Sequence, residues 1–263
     1  MTTKLTEKKI RRHLSHPIAV EVLNTIDSTN TEVKRRAMNG LATPLLLLAR
    51  TQTAGRGRLG RTFCSPNGAG LYMSLLLHPE MEAADVLALT SAAAVAVCEA
   101  IESLTPLSPK IKWVNDVYLS GKKVCGILTE GVVDPACGKL QSVVVGIGIN
   151  LTPAALPPEV AAIATSLGGD GAAADPNRLA AAICDRLLRF YETLPQKSWL
   201  EGYRRRSWLD GKSVIWRRAG GEPDGEVLGS GKVIGIGDNG ELLLATPDGE
   251  IALTGGEVTV RVE

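Results

Sequence analysis

The strongest chemical signal in the chain is a short segment in which glycine and arginine alternate, RTQTAGRGRLGR at residues 50–61. It lies in a longer stretch, residues 33–79, that contains no acidic residue. Glycine lets the backbone approach a ligand closely, and a guanidinium group offers a rigid fork of donors that suits phosphate and carboxylate groups. The segment therefore predicts an anion-binding loop with Arg56, Arg58 and Arg61 as its cations.

Two other interpretations of this loop stay open from its composition alone. A flexible, solvated loop has similar residues, and a nucleic-acid-binding loop is also rich in arginine. Few aromatic side chains that stack on bases are nearby, only Phe63 and Tyr72. The segment lacks the GxxxxGK[ST] pattern of a P-loop, and the turn-forming sequence SPNG follows it where a dinucleotide motif would open a helix.

Four further motifs place polar groups or glycines at the ends of predicted elements. KWVND (112–116) brings a lysine, an amide and a carboxylate together, which suits a nucleotide or a metal held with a phosphate. GKKVCGIL (121–128) puts Lys123 at the mouth of an apolar strand, where its ammonium group can reach an anion. In GIGIN (146–150), glycines interrupt a buried strand, as they do where a ligand approaches. DSTN (27–30) offers hydroxyl and amide groups ahead of a helix.

Each of these motifs also has an ordinary structural explanation. A strand-end turn accounts for KWVND, a solvent-exposed lysine for GKKV, a packing bulge for GIGIN and a helix cap for DSTN. The motifs taken one at a time therefore do not identify a function.

The elements that position these motifs are predicted from hydrophobic periodicity and turn signals. Strands are expected at residues 18–26, 45–50, 70–77, 110–114, 124–132 and 140–149. Helices are expected after residue 27, where Thr29 and Glu32 have capping-box spacing and Asn39-Gly40 supplies the stop, at 84–104, and from Asp175-Pro176 onward. Residues 153–174 read as a connection with weak structure.

The pattern changes near residue 210. From there only short β-type runs remain, separated by turns such as Asp238-Asn239-Gly240, Asp248-Gly249 and Gly255-Gly256. Five short strands predict a small closed barrel. We therefore expect two domains, residues 1–208 and 209–263.

The composition excludes several classes of protein. The chain has 263 residues, 44% of them hydrophobic, and a formal net charge of +1, so a disordered chain or a globally basic nucleic-acid binder is not indicated. It contains no apolar run long enough for a membrane span and no secretory signal, and its five cysteines form no CxxC pair. We expect a cytoplasmic protein. With three histidines, a histidine-built zinc site is not expected.

The order and spacing of DSTN, GRGRLGR, KWVND, GKKVCGIL and GIGIN, followed by a small β module, resemble the biotin protein ligases over essentially the whole chain. Two positions depart from that family's usual pattern: Val114 stands where proline is common, and Phe63 where tryptophan is common. The resemblance implies an α+β fold with a mixed β-sheet flanked by helices, similar to the class II synthetase-like biotin and lipoate ligases, and then a small SH3-like β-barrel.

The resemblance also implies a reaction in two halves. The carboxylate of biotin attacks the α-phosphate of ATP, with Mg²⁺ brought by the nucleotide, and gives biotinyl-5'-AMP; a lysine of a biotin carboxyl carrier protein then takes the biotinyl group. A homodimer through a sheet edge is possible in this family. Only about 17 residues precede the first predicted strand, too few for a DNA-binding domain, so we expect a ligase that does not bind DNA.

The resemblance assigns roles to residues at matching positions. Those implied to be catalytic are Lys123, Arg56 and Arg58. Those implied to bind biotin are Ser28, Thr29, Asn30, Gln52, Arg56, Gly57, Arg58, Lys123, Gly126, Gly146 and Gly148. Those implied to bind the nucleotide are Arg58, Arg61, Lys112, Asn115, Asp116, Lys123 and Asn150. Metal ligands are not assigned.

Three alternatives are kept. A lipoate or octanoyl ligase shares the same fold, but its ligand lacks the ureido ring that the DSTN groups would contact. A nucleic-acid-binding regulator would use the basic stretch 34–61 and would bind DNA with a steep salt dependence. In the third alternative the C-terminal module docks a peptide or carrier, which is compatible with ligase activity.

Overall fold

The computed structural model describes residues 4–78, 86–133, 138–153, 158–218, 225–255 and 258–262. Parts of three sequence predictions lie outside these ranges: residues 84 and 85 of the helix at 84–104, residues 154–157 of the weakly structured connection, and Gly256 of the last predicted turn. None of the described helices is long and apolar enough to cross a membrane.

The first sheet has seven strands and is mixed. Its strands are β1 (Ala19–Ile26), β2 (Leu45–Gln52), β3 (Gly70–Leu77), β4 (Lys110–Lys112), β5 (Asp116–Leu119), β6 (Lys122–Val133) and β7 (Leu140–Asn150). They lie in the order β1-β2-β3-β7-β6-β5-β4. Strands β1 and β2 run parallel, whereas the other neighbours are antiparallel.

Helices cover both faces of this sheet. They are α1 (Glu7–Arg11), α2 (Thr29–Met38), α3 (Val86–Leu104), α4 (Pro158–Ala161), α5 (Pro176–Glu192) and α6 (Leu200–Arg205). Leu45 and Leu47 of β2 pack with Val33 and Ala37 of α2, while alternate residues of the same strand join the larger core that includes α3 and α5. Burial on both faces explains why β2 begins as an uninterrupted apolar run, LLLLA.

The start of α2 differs from the sequence prediction. Ser28 is the N-cap, and its side chain accepts from the backbone N–H of Thr31. The predicted capping box of Thr29 and Glu32 is therefore wrong: Thr29 is already helical, and the Glu32 carboxylate instead accepts from Nε of Arg36 at 2.7 Å. Because the Thr29 hydroxyl does not cap the helix, it can form hydrogen bonds with side chains on the inner side of the sheet. The predicted stop is confirmed, with Asn39 at the C-cap.

The C-terminal residues form a second, antiparallel sheet. Its strands are β8 (Ser213–Arg218), β9 (Val227–Ile236), β10 (Leu242–Thr246), β11 (Gly249–Leu253) and β12 (Val258–Val262), in the order β11-β10-β9-β8-β12. The fold class predicted from the sequence is thus confirmed. Side chains of both sheets join one apolar core, so the division into domains at residue 209 stays a prediction.

Candidate active site

The residues predicted to bind biotin all line one cavity, which lies beside the C-terminal end of β2, the N-terminal half of β6 and the C-terminal half of β7. The cavity is bounded by Ser28, Thr29, Asn30, Gln52, Arg56, Gly57, Arg58, Lys123, Gly126, Gly146 and Gly148, and also by Phe63, Met73, Asn115, Ile127, Leu128 and Ile147. Polar groups, glycines and apolar side chains thus share its wall. The structure brings the whole predicted set together.

One end of this cavity is polar and tightly ordered. The backbone N–H and the hydroxyl of Thr29 lie 2.8 and 3.0 Å from Oε1 of Gln52. Oγ of Ser74 lies 2.8 Å from the Thr29 hydroxyl and 2.6 Å from Oδ1 of Asn30. Nε2 of Gln52 donates to Ser65 Oγ at 2.9 Å. A connected network of this kind presents hydroxyl and amide groups in fixed positions.

The floor of the cavity needs glycine at two positions of β7. A Cβ atom on Gly146 would lie 2.0 Å from Oδ1 of Asn30, and one on Gly148 would lie 2.7 Å from the ring of Phe63. Real Cβ atoms essentially never come so close. The glycines of GIGIN therefore make room for side chains that face the cavity, which explains their place in a buried strand.

The glycine–arginine segment forms a hairpin at the mouth of the cavity. The N–H of Phe63 donates to Gly55 O at 2.9 Å, and the N–H of Gly57 donates to Arg61 O at 2.7 Å. Arg56 and Thr62 face each other in an isolated antiparallel bridge between these bonds. We call residues 55–63 the arginine hairpin.

A second, larger cavity adjoins the first. All residues predicted to bind the nucleotide line it: Arg58, Arg61, Lys112, Asn115, Asp116, Lys123 and Asn150. The wall common to both cavities consists of Gly57, Arg58, Phe63, Asn115 and Lys123. A molecule in one cavity would therefore meet a molecule in the other beside a lysine and an arginine.

Arg58 lies at the boundary between the two cavities, where a hydrogen bond to Asn115 orients its side chain. Its Nη1 donates to Oδ1 of Asn115 at 3.1 Å, and Asn115 is itself held because its Nδ2 donates to Ile127 O at 2.8 Å. Burial lowers the pKa of Arg58, while the carboxylate of Asp116 opposes that shift. The guanidinium group is thus a partly desolvated cation, which interacts with anions more strongly than an exposed one does.

Both the backbone and the side chain of Lys123 form contacts that hold it at the same boundary between the cavities. Its N–H donates to Ile163 O at 3.1 Å, its carbonyl accepts from Thr165 N at 2.8 Å, and its Nζ lies 2.6 Å from Oδ1 of Asp116. The segment containing Thr165 also accepts from Nδ2 of Asn150 at 3.0 Å. One connecting segment therefore holds two residues of the second cavity.

Lys112 lies deeper in the second cavity. Burial lowers its pKa, and Asp116 acts in the opposite direction. Its ammonium group lies 5.6 Å from the centre of the Tyr118 ring, a distance at which a cation–π attraction contributes. The side chain is therefore available as a cation in a partly apolar wall.

The structure separates the three arginines that the sequence presents as one group. Arg58 lines both cavities, Arg61 only the second, and Arg56 only the first. Nη1 of Arg56 lies 3.2 Å from Oε1 of Glu130. Arg56 thus has a protein carboxylate as a close partner.

Three residues of the site were missed by the sequence analysis. Ser74, at the centre of the polar network, is the only polar side chain in the run LYMSLLL, and that isolation was the available signal. Glu130 lies two residues after the motif GKKVCGIL, and Phe63 was noted as an aromatic residue near the loop and as a departure from the family pattern, but neither was given a role in the site. Each of these residues is identified by the side chains that surround it in the fold. Spacing along the sequence does not predict those neighbours.

Comparison with known proteins places the chain in a family. Residues 22–150 match the model of the biotin/lipoate A/B protein ligase family. The bifunctional ligase/repressor BirA of Bacillus subtilis is 34% identical over 94% of this chain and 76% of its own length. The biotin--[acetyl-CoA-carboxylase] ligase of Paracoccus denitrificans is 33% identical over 90% of this chain and 98% of its own length.

A solved structure agrees with these sequence matches. The biotin protein ligase from Aquifex aeolicus in complex with biotin and ATP superposes with a TM-score of 0.79 at 30% identity, covering 93% of this chain and 99% of that one. The extent of these matches and the two adjoining cavities lead to the same conclusion. The chain belongs to the biotin/lipoate A/B protein ligase family.

Proposed function

We propose that this chain is an ATP-dependent ligase that activates biotin as biotinyl-5'-AMP and transfers it to a lysine of a biotin carboxyl carrier domain. The observation on which this rests is the shared boundary of the two cavities, where Arg58 and Lys123 face both. Because a carboxylate and a triphosphate repel each other, a site that joins them needs cations at the point of contact.

The first cavity suits biotin better than lipoate. Biotin has an apolar body with a carboxylate at one end and a polar ureido ring at the other, so it needs an apolar slot closed by donors and acceptors. Thr29, Gln52, Ser74 and Asn30 supply such groups at one end, and Lys123 lies at the other. The ring of lipoate carries no ureido group to pair with them.

In the first half-reaction, a carboxylate oxygen of biotin forms a bond to the α-phosphorus of ATP while the bond to the pyrophosphate oxygen breaks. Negative charge accumulates on the phosphorus oxygens between the two cavities. Lys123 and Arg58 stabilise that charge from fixed positions, because Asp116 and Asn115 hold them. We also assign Arg61 and Lys112 to binding of the ATP phosphates, and Asn150 to binding of the nucleotide.

In the second half-reaction, the amine of an acceptor lysine attacks the carbonyl carbon of the mixed anhydride, and AMP leaves. Formation of the amide releases a proton from the amine. The chain needs no covalent nucleophile of its own for either half.

A magnesium ion fits the second cavity as a partner of the nucleotide. Mg²⁺ is usually bound by one or two carboxylates and by substrate phosphates. Asp116 lines the cavity, and the described residues contain no group of three or more acidic, histidine or cysteine side chains that forms a metal site without a substrate. Asp116 would hold the ion, which would neutralise phosphate charge.

The direct test is mass spectrometry of an acceptor. Purified chain is incubated with ATP, Mg²⁺ and a biotin carboxyl carrier domain, and with biotin, lipoate or octanoate in separate samples. We expect a mass increase corresponding to one biotinyl group in the biotin sample alone. Modification with lipoate or octanoate, and none with biotin, would assign the chain to the other branch of the family.

The edges of the first sheet are β1 and β4, and the backbone of Ile111 in β4 is already hydrogen-bonded to Arg206 and Trp208, so a homodimer through an edge of this sheet would use β1. Two backbone groups of β1 are occupied by α1: Val22 N–H donates to Glu7 Oε1 at 3.1 Å, and Arg11 Nη2 donates to Val20 O at 3.0 Å. A second copy would have to displace both side chains. We therefore expect the variant Glu7→Ala/Arg11→Ala to associate more strongly than the natural chain in sedimentation velocity.

A further inference from the structure

Glu130 connects three elements around the first cavity through one carboxylate. Its Oε2 accepts from Nδ2 of Asn30 at 3.0 Å, and its Oε1 lies 3.2 Å from Nη1 of Arg56 and 3.7 Å from Nζ of Lys34. Its side chain is only 14% exposed. Asn30 lies at the start of α2, Lys34 lies one turn later in α2, and Arg56 lies between the two backbone hydrogen bonds of the arginine hairpin.

Each of these contacts fixes a different part of the cavity. Asn30 also donates to Leu128 O at 3.1 Å and accepts from Ser74, so the contact with Glu130 completes its hydrogen bonding and sets which way its amide faces. Arg56 lies in the bridge with Thr62 between the two hairpin bonds. A contact to Arg56 therefore holds the hairpin where its two strands are paired.

The charge of Arg56 has a carboxylate partner in the protein, whereas Arg58 donates to the neutral amide of Asn115 and, among the described residues, forms no direct ion pair, although the Asp116 carboxylate acts on its charge. Of two arginines, the one whose charge is already compensated attracts a further anion less strongly. Lys123 is also ion-paired, but it lies on the wall shared by both cavities, whereas Arg56 lines only the first. Charge and location together favour Arg58 over Arg56 as the arginine that meets the reacting groups, and a mechanical role for Arg56.

We propose that Glu130 is a positioning residue, which attaches the arginine hairpin to α2 and to the floor of the biotin cavity through its ion pair with Arg56. In this inference, the identity of the ligand rests on the proposed function, whereas the contacts of Glu130 do not depend on it. It assigns Glu130 to ligand retention and not to the chemical step, because none of its contacts reaches the boundary with the second cavity.

The variant Glu130→Gln separates the two contacts of the carboxylate. Glutamine keeps an oxygen that accepts from Asn30 and removes the charge that attracts Arg56. Asp238→Asn is the matched control, because Asp238 forms an ion pair with Arg204 at 2.6 Å on the exposed surface of the second sheet.

Hydrogen exchange of the ligand-free protein tests the attachment without any substrate. In Glu130→Gln, we expect the amides of Gly57 and Phe63 to exchange about fivefold faster, the size expected for loss of a partly exposed ion pair, and no change in Asp238→Asn. Equal exchange in Glu130→Gln and the natural chain would overturn the proposal, whether or not the protein binds biotin.

Steady-state adenylation supplies the second readout. In Glu130→Gln, KM for biotin should rise about fivefold while kcat stays within about twofold, because a positioning residue that acts on retention affects ground-state binding. In the ligand-free protein, adding Arg56→Met to Glu130→Gln should cause little further increase in the exchange rates of the Gly57 and Phe63 amides, since both changes break the same pair. A fall in kcat at unchanged KM, or fully additive effects on amide exchange, would also overturn the proposal.

Discussion

The ammonium nitrogen of Lys123 lies 2.6 Å from Oδ1 of Asp116, across the β5–β6 pair. The register of this pair shifts between Val117 and Tyr118, directly beside the two side chains. The irregularity lets residues that are not direct cross-strand partners meet at the boundary of the cavities. The KWVND and GKKV motifs are thus parts of one unit, in which a carboxylate holds a cation.

Replacement of Lys123 by methionine should slow adenylate formation by about 10²- to 10³-fold, the loss typical of removing one fixed group that stabilises developing charge. Biotin should still bind, because most of its contacts lie elsewhere. Pyrophosphate exchange measures the first effect and calorimetry the second. Lys110→Met is the control, because that ammonium donates to Arg205 O and Lys110 lines neither cavity. Adenylation at the natural rate in Lys123→Met would remove Lys123 from its proposed role.

Replacement of Gly148 by alanine should weaken biotin binding, because the new methyl group would lie 2.7 Å from the Phe63 ring and displace it. Overpacking of this kind costs about 1–3 kcal/mol, which corresponds to roughly 5- to 150-fold in affinity if it falls on the bound state. Gly131→Ala is the control in β6, since its methyl group would meet only the end of the Leu140 side chain. Calorimetry that finds equal affinities in the two variants would contradict the close packing of the floor.

Replacement of Ser74 by alanine removes the hydroxyl between Thr29 and Asn30 in a fully buried position. Leaving buried polar partners unsatisfied costs about 1–3 kcal/mol, so we expect a lower free energy of unfolding and weaker biotin binding. Ser142→Ala is the matched control on β7, because the Ser142 hydroxyl is buried and has no hydrogen-bond partner among the described residues. Denaturant unfolding should show a much smaller loss for Ser142→Ala, and the reverse order would disprove the network.

The pH dependence of ATP binding tests Lys112. Because burial lowers its pKa, Lys112 loses its positive charge at a lower pH than an ordinary lysine does. KM for ATP should therefore rise with pH at a lower pH than the one at which an ordinary lysine loses its charge, and Lys112→Arg, which stays charged, should flatten this rise. The contribution of Lys112 to the free energy of unfolding should increase over the same range, because the unfolded chain then binds more protons than the folded one. An identical pH profile in Lys112→Arg would show that Lys112 is not the titrating group.

Much of the fold followed from local patterns. The run LLLLA, the apolar strand β3, and Asp175-Pro176 at the start of α5 each have a local physical cause, and the structure confirms all three elements. Helices α1, α4 and α6 were not predicted, and α4 lies in the segment expected to be a weakly structured connection. All three are short. Helices α1 and α6 bury Ile10 and Tyr203 in the core, and this burial depends on residues far away in the chain.

The candidate site shows the same limit. The glycines of GIGIN and the lysine of GKKV are unusual in their local sequence, so they were found. The contact between Glu130 and Arg56 joins residues 74 positions apart in the chain. The choice of Ser28 over Thr29 as N-cap depends on the position of Gln52, which accepts from Thr29. Such choices are made by tertiary contacts, and local spacing does not encode them.

The indole N–H of Trp113 donates to Gly240 O at 2.9 Å, and the hydroxyl of Tyr203 donates to Val114 O at 3.2 Å, both in buried positions. A chain shortened at residue 210 would leave the indole of the KWVND segment without its acceptor in an apolar environment. Scanning calorimetry should therefore record a single cooperative melting transition for the whole chain. Loss of adenylation after such a truncation would then report a collapsed nucleotide wall, and would say nothing about recognition of a carrier.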